Sequence, residues 1–220
     1  MKNLLLFLVF VCTLSLPCRG NPVPFSPIVR NYSVLDYNAG NENWAVAQDG
    51  RGVMYFGNNS GLLRYDGSRW KLFPLPASGI VRAVYVASDG RIYVGSFEEF
   101  GYFEENDLNL LEYHSLKDQV KGFNFHNDEI WTIVEQGGNI VFQSFGSYFI
   151  YDGTTTKGVR CHELPLNLFR VGDTVYSQLI NAGVCVFTGD RFTPLISRQE
   201  LGNSDVLAGL PYPGGMLLLT

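Results

Sequence analysis

A unit of about 40 residues recurs along this chain, and that period constrains its fold more than any other feature. Gly52-Val53-Met54-Tyr55-Phe56, a five-residue spacer and Leu62-Leu63-Arg64-Tyr65-Asp66-Gly67 return 86 positions later. There they read Gly138-Asn139-Ile140-Val141-Phe142 and Tyr148-Phe149-Ile150-Tyr151-Asp152-Gly153. Between the two, Ser88-Asp89-Gly90-Arg91-Ile92-Tyr93-Val94-Gly95 echoes the stretch from Gln48 to Gly57. A unit this short cannot bury its apolar face alone, so copies must stack or close radially.

Each copy divides into short strands. In the first, Asn43-Trp44-Ala45-Val46-Ala47 suits an inner strand, and Asp49-Gly50-Arg51-Gly52 a tight turn. Asp accepts backbone hydrogen bonds there and Gly supplies positive φ. Residues 53–56 and 62–65 form the next strands around a loop at 57–61, and Asp66-Gly67-Ser68 turns the chain into an outer strand at 69–73. The second copy places strands at 82–86, 91–95 and 101–104. The third starts near 130–134 and ends in an outer strand at 158–162. The fourth shows 169–171, 174–177 and a stretch from Gly183 to Phe192 that lies 122 residues after Gly61 to Trp70. Residues 206–208 and 214–219 read as the first two strands of a fifth. The expected fold is all-β: an incomplete β-propeller of four-stranded blades over 41–220, four blades plus the start of a fifth. The apolar edge at Leu217-Leu218-Leu219-Thr220 is expected to aggregate or to pair with another chain.

With 46% hydrophobic and 17% charged residues, the chain can form a packed core. Lys2, an apolar run from Leu4 to Leu16, Pro17 and a short polar exit to Gly20 have the order of a secretory signal over 1–20. The run is too short for an ordinary membrane span. A lipid anchor on Cys18 competes, but Ser15-Leu16-Pro17 lacks the leucine and small residue expected before a lipidated cysteine. Residues 21–40, with Pro22, Pro24 and Pro27, suggest an extended arm that could complete a closing blade. No helix-period segment of useful length follows the signal. Losing Lys2 and Arg19 leaves 14 basic against 21 acidic residues, a charge of -7, which disfavours nucleic-acid binding. Cys161 and Cys185 remain after cleavage, either bridged, as export permits, or as two free thiols.

The run from Asp49 to Gly67, Asp-Gly-Arg-Gly-Val-Met-Tyr-Phe-Gly-Asn-Asn-Ser-Gly-Leu-Leu-Arg-Tyr-Asp-Gly, resembles the two-component regulator propeller repeat of exported bacterial sensors. The preceding Tyr37 to Trp44 is similar to the start of such a sensor's first blade. Later copies depart from the pattern: Gln143 and Leu179 stand where Gly57 and Gly95 stand earlier, and Glu135-Gln136-Gly137-Gly138 replaces the Asp-Gly turn. The resemblance implies a noncatalytic sensor region, periplasmic, in a full-length protein anchored in the inner membrane. It implies further blades, a triple-tyrosine β-sandwich and an output such as a histidine kinase or a helix-turn-helix regulator. It also implies a glycan breakdown product as the cue. Alternatives are a propeller of a secreted carbohydrate-active enzyme and a scaffold for envelope proteins.

Strand order sorts the loops onto two faces. Turns such as Asp49-Gly50 and Asp66-Gly67 are expected to be short and structural, whereas the opposite face carries the longer loops. On that opposite face Trp44 and Phe97 are candidate stacking platforms for a sugar, with Asn58, Asn59 and Glu98 as polar contacts. Ser96, Phe145 and Asn181 are further candidates. The bland reading is that these residues solvate loops or pack blade on blade. Glu98-Glu99 does not form a paired-carboxylate catalyst, since neighbours on an extended segment point apart. His114, His126 and His162 lack metal-ligand spacing, no Gly-x-Ser-x-Gly occurs, and no cofactor is called for. Tyr55, Phe56, Tyr93, Trp131 and Phe142 read as core. Expected partners are an oligosaccharide or other small ligand, the rest of the same protein, and a second copy.

Overall fold

Side-chain alternation along short strands builds the blades. The computed structural model describes residues 28–76, 79–108, 110–189 and 191–220. The signal segment 1–20 with Cys12 and Cys18, residues 21–27 of the arm, and Asp190 lie outside them. The first sheet contains β1 (Asn43–Gln48), β2 (Met54–Asn58), β3 (Gly61–Tyr65) and β4 (Trp70–Phe73). The second contains β5 (Ala83–Val86), β6 (Ile92–Gly95), β7 (Phe100–Glu105) and β8 (Leu111–Ser115). The third has β9 (Thr132–Gln136), β10 (Asn139–Gln143), β11 (Ser147–Tyr151) and β12 (Thr156–Arg160). The fourth has β13 (Pro165–Val171), β14 (Thr174–Leu179), β15 (Gly183–Phe187) and β16 (Phe192–Ile196). A hairpin of β17 (Ala208–Tyr212) and β18 (Gly215–Leu219) starts a fifth. All pairs are antiparallel, and β1, β5, β9, β13 and β17 follow one another as neighbours, which makes them the inner strands. This is the expected propeller architecture.

The core lies between the blades because period-two alternation sends successive residues to opposite neighbours. On β6, Ile92 and Val94 join the cluster shared with the first blade, while Tyr93 joins the one shared with the third. On β10, Ile140 and Phe142 face the second blade and Val141 faces the fourth. Rings of Phe100, Phe142 and Phe149 stack at 4.8 Å in the middle interface. Each such buried aromatic contributes about 2–3 kcal/mol. The outward side of the first inner strand is open. Val46 is 60% exposed, whereas Ile133, its register equivalent, is 7% exposed.

Several details differ from expectation. The loop at 57–61 shrinks to a two-residue turn, Asn59-Ser60, because Gly57, Asn58 and Gly61 join the ladder. The turns expected to be short are the longer ones. In the first blade they span 49–53 and 66–69, and side chains hold them closed. Asp49 accepts from the Arg51 and Val53 amides at 2.9 Å, and Asp66 from those of Ser68 and Arg69 at 2.9 and 2.8 Å. Those bonds hold the Asp66 carboxyl down at about 2. Asp152 repeats the arrangement with Thr154 and Thr155, so both Asp-Gly pairs are turn devices.

The described part of the arm is not extended throughout. Residues 34–37 form a helical turn, α1 (Val34–Tyr37), closed by a Ser33–Asp36 capping box. Tyr32 and Tyr37 pack on Trp70 at 5.1 and 5.5 Å, so this segment covers the first blade without adding a strand. Cys161 and Cys185 are both free thiols, Cys185 fully buried.

Candidate functional site

The β2–β3 turn, its counterparts and the inter-blade linkers share one face, called here the linker face. There, Trp44, Arg82 and Trp131 occupy one register position in three successive blades. Each immediately precedes the residue paired with Gly57, Gly95 or Gln143. The Arg82 guanidinium lies 3.8 Å from the centre of the Trp44 ring and 5.2 Å from that of Trp131. Trp131 meets Trp44 edge-on at 6.3 Å and Phe145 at 5.7 Å. The result is a continuous ridge in which Trp44 (45% exposed) and Phe145 (53% exposed) stand up and Arg82 with Trp131 forms the floor. Glu129 accepts from Arg82 Nε at 2.7 Å, and Asn59 accepts from Trp44 Nε1 at 2.7 Å. Arg82 Nη1, Trp131 Nε1 and Ser96 Oγ are buried donors with no protein partner among the described residues.

The candidate residues fall into three groups. Trp44, Asn59 and Phe145 come together at the ridge. Asn58 and Ser96 are buried, which prevents direct contact with a ligand from solvent. The Asn58 amide bonds Gly40 and the Glu42 carbonyl, tying the arm to β2, and Ser96 lies beneath Gly79, where a Cβ would come within 2.5 Å of its Oγ. Phe97 and Asn181 are exposed and Glu98 is half-buried, all three in turns outside the Trp44–Phe145 contacts. Phe97 bridges to Glu129 through the backbone, and Glu98 accepts from the Asn127 amide at 3.0 Å in a left-handed conformation, φ 47°. Glu99 instead accepts from Tyr113 and Ser115, both at 2.7 Å, so the adjacent carboxylates serve separate structural tasks.

Sequence reading missed Arg82 and placed Trp131 in the core. The Asp-Gly pair occupies the first two positions of the 49–53 turn but the third and fourth of the 87–91 turn. Counting from it therefore hides the equivalence of Trp44 and Arg82. The sequence also suggested Leu179 as the fourth-blade counterpart of Gly57, one residue out of register. The turn at 180–182 has three residues where the first blade has two, so the residue equivalent to Gly57 is Gln178, not Leu179.

A second polar cluster adjoins the ridge along the chain, with Asp128 next to Glu129 and Ser144 next to Phe145. Asp128 accepts from Ser147 Oγ (2.6 Å), the His126 amide (2.9 Å), Ser144 Oγ (2.9 Å) and Arg160 Nη1 (3.1 Å). Burial alone would raise its pKa, but these bonds and the Arg160 charge outweigh burial and hold it below the ordinary value of 3.8. Among the described residues, the opposite face carries cavities of about 430 and 470 Å³, both bordered by Ser88. Arg51 bridges Asp49 and Glu105 at the first, and Ser88 bonds Glu135 at the second, so both rims are held by internal pairs.

No family model matches the chain, and no curated protein does. Solved structures do. One is the extracellular domain of a hybrid two component system from Bacteroides thetaiotaomicron, 14% identical, with a TM-score of 0.60, covering 81% of this chain and 25% of that one. Another, from a one component system of the same organism, is 15% identical with a TM-score of 0.51, covering 69% and 21%. Virginiamycin B lyase from Staphylococcus aureus is 10% identical with a TM-score of 0.62, covering 80% and 62%. The chain thus spans about a quarter or less of the two extracellular domains and under two thirds of the lyase. At these identities the likeness is one of fold, and the shared fold is the β-propeller.

Proposed function

We propose that this chain is the sensing propeller segment of an exported signal-transduction receptor, noncatalytic, taking a glycan-derived ligand on its linker face. In this reading binding there is relayed to an output domain of the same protein, with this segment in the periplasm and the anchor in the inner membrane. The observation that carries the reading is the Trp44–Arg82–Trp131–Phe145 ridge. Flat aromatic faces match the C–H faces of sugar rings, and the neighbouring amide and carboxylate groups match hydroxyls. The fold likeness to extracellular domains of B. thetaiotaomicron signalling systems supports it.

Titration calorimetry of the chain against an oligosaccharide panel tests the reading. Saturable binding is expected, weakened at least about tenfold by Trp44→Ala and less by Asn59→Ala. A panel without a single binder would remove the glycan. The likeness to the lyase favours a second reading, a secreted enzyme. In the S. aureus lyase, the H270A variant is catalytically inactive. Here His114 lies in β8 while His126 and His162 lie in separate linkers, and His162 lines a cavity of about 340 Å³ with Arg160 and Glu163. Turnover of quinupristin by the purified chain would establish that reading instead.

A further inference from the structure

Resting on the glycan reading of the linker face, we infer that the ridge selects a neutral oligosaccharide and that the Arg82–Glu129 pair sets this selectivity. The ridge presents more than one aromatic face. Centroid steps of 6.3 and 5.7 Å place the exposed rings of Trp44 and Phe145 within about 12 Å of each other, with Arg82 between the two tryptophans. That spacing suits a short run of linked rings, each end lying on an aromatic face while hydroxyls meet the polar floor.

Charge decides which sugars fit. Arg82 is the cation of the ridge, and its side chain is only 15% exposed. Its Nε is bound to Glu129 at 2.7 Å, and its plane is covered by Trp44. A partly buried guanidinium that already holds a carboxylate has little charge left for a second. The other cation near the ridge, Arg160, is likewise held by a carboxylate, Asp128 at 3.1 Å, and Glu42, which accepts from Asn59 Nδ2 at 2.9 Å, adds negative charge beside Trp44. A uronate or sulfate on the ligand would meet uncompensated negative charge, whereas a neutral hydroxyl accepts or donates without that cost. Glu129 therefore acts as a specificity residue by occupying the guanidinium at the centre of the ridge, which would otherwise attract an acidic sugar.

The test compares neutral and uronate-containing oligosaccharides of matched length by calorimetry on the full chain and on Glu129→Gln. The native chain should favour the neutral ligands at least about tenfold, and Glu129→Gln should narrow that ratio to a few-fold by freeing Arg82. Equal or tighter binding of the acidic ligands to the native chain would overturn the inference while leaving the glycan reading intact. An unchanged ratio in folded Glu129→Gln would overturn the assignment to this pair. Should that variant fail to fold, Arg82→Gln serves: the neutral preference must persist or grow, and a fall counts against the inference. If neither class binds, the glycan reading itself goes, and the selectivity with it.

Discussion

The first two blades receive their successors differently from the third and fourth. At Gly57 and Gly95 the next chain segment comes so close that a Cβ would lie 2.6 Å from the Val81 carbonyl oxygen or 2.4 Å from Ile130 Cγ2. The backbones then bond directly, Val81 N–H to Asn58 O at 3.1 Å and Ile130 N–H to Ser96 O at 3.0 Å. At the equivalent position the later blades carry Gln143 and Gln178. Gln143 donates to the Pro165 and Leu166 carbonyls at 3.0 and 3.2 Å and accepts from the Leu168 amide at 2.7 Å. Gln178 does the same with Ser204 and Val206. One docking problem thus has two solutions, removal of the side chain or insertion of an amide that completes the backbone's bonds. Apparent sequence divergence in the later blades preserves the geometry of the early ones.

The largest expected effect tests whether the glycine-type docking stands alone. Blade three is reached through the long linker at 116–131, whose Asp128 ties it to Ser144, Ser147 and Arg160. Asp128→Ala strips three donors of their acceptor and leaves Arg160, which is half exposed, without its carboxylate. A loss of about 3–4 kcal/mol is expected in denaturant unfolding, discounted for Arg160's access to water. The same group makes stability depend on acid. Its pKa is lowered in the folded state, so its contribution is fully present above the unfolded value near 3.8 and disappears as pH falls through the depressed folded value. The thermal midpoint of the native chain should therefore fall more steeply below pH about 4 than that of Asp128→Asn. Parallel curves would mean that other carboxylates set the acid limit.

The next largest effects compare the two docking solutions directly. Gln143→Leu keeps volume but strands the buried Leu168 amide and two carbonyls, a cost of about 3 kcal/mol. Gly95→Ala keeps every hydrogen bond but drives a methyl into Ile130, a cost of about 1–3 kcal/mol that depends on how far Ile130 can give. Adding Ile130→Val to Gly95→Ala should bring no relief, because valine keeps the Cβ and Cγ2 atoms that the new methyl would meet at 2.6 and 2.4 Å. Unfolding midpoints that rank the two single variants in the reverse order would show that steric approach, rather than bond satisfaction, limits both interfaces.

Much of this fold was legible because strand alternation and turn chemistry are local. The Tyr55, Tyr93 and Phe142 core positions and the Asp66 and Asp152 turns follow from a few neighbouring residues each. The ridge was only half legible. Trp44 and Phe145 announce themselves as aromatics near loops, but Arg82 becomes part of a site only through the register of β5 against β6 and the stacking of one blade on the next. Asn58 failed as a ligand contact for a similar reason. An asparagine beside a turn looks the same in sequence whether its amide meets solvent or, as here, closes on Gly40 and Glu42.

The smallest expected stability effect separates the docking register from the surface it carries. Asn59, Phe97, Phe145 and Ile180 each open the turn after the second strand of their blade, so they are one register position in four blades. Three of the four are large apolar residues exposed to solvent, Phe97 at 55%. In the first blade the position is polar, and Trp44, bonded to Asn59, supplies the apolar surface instead. If these residues exist for packing, Phe145→Ala should destabilise like a core truncation, by about 3 kcal/mol or more. If they exist for recognition, the change should stay within about 0.5 kcal/mol, as at ordinary surface positions. The ridge contact with Trp131 at 5.7 Å is then the main packing lost, and ligand affinity should fall while the unfolding midpoint barely moves. Running Phe97→Ala beside it removes the equivalent residue of a blade whose floor position is Arg82. A drop in affinity for Phe145→Ala alone would confine the ligand to the ridge, and equal drops would extend its contact to the second blade.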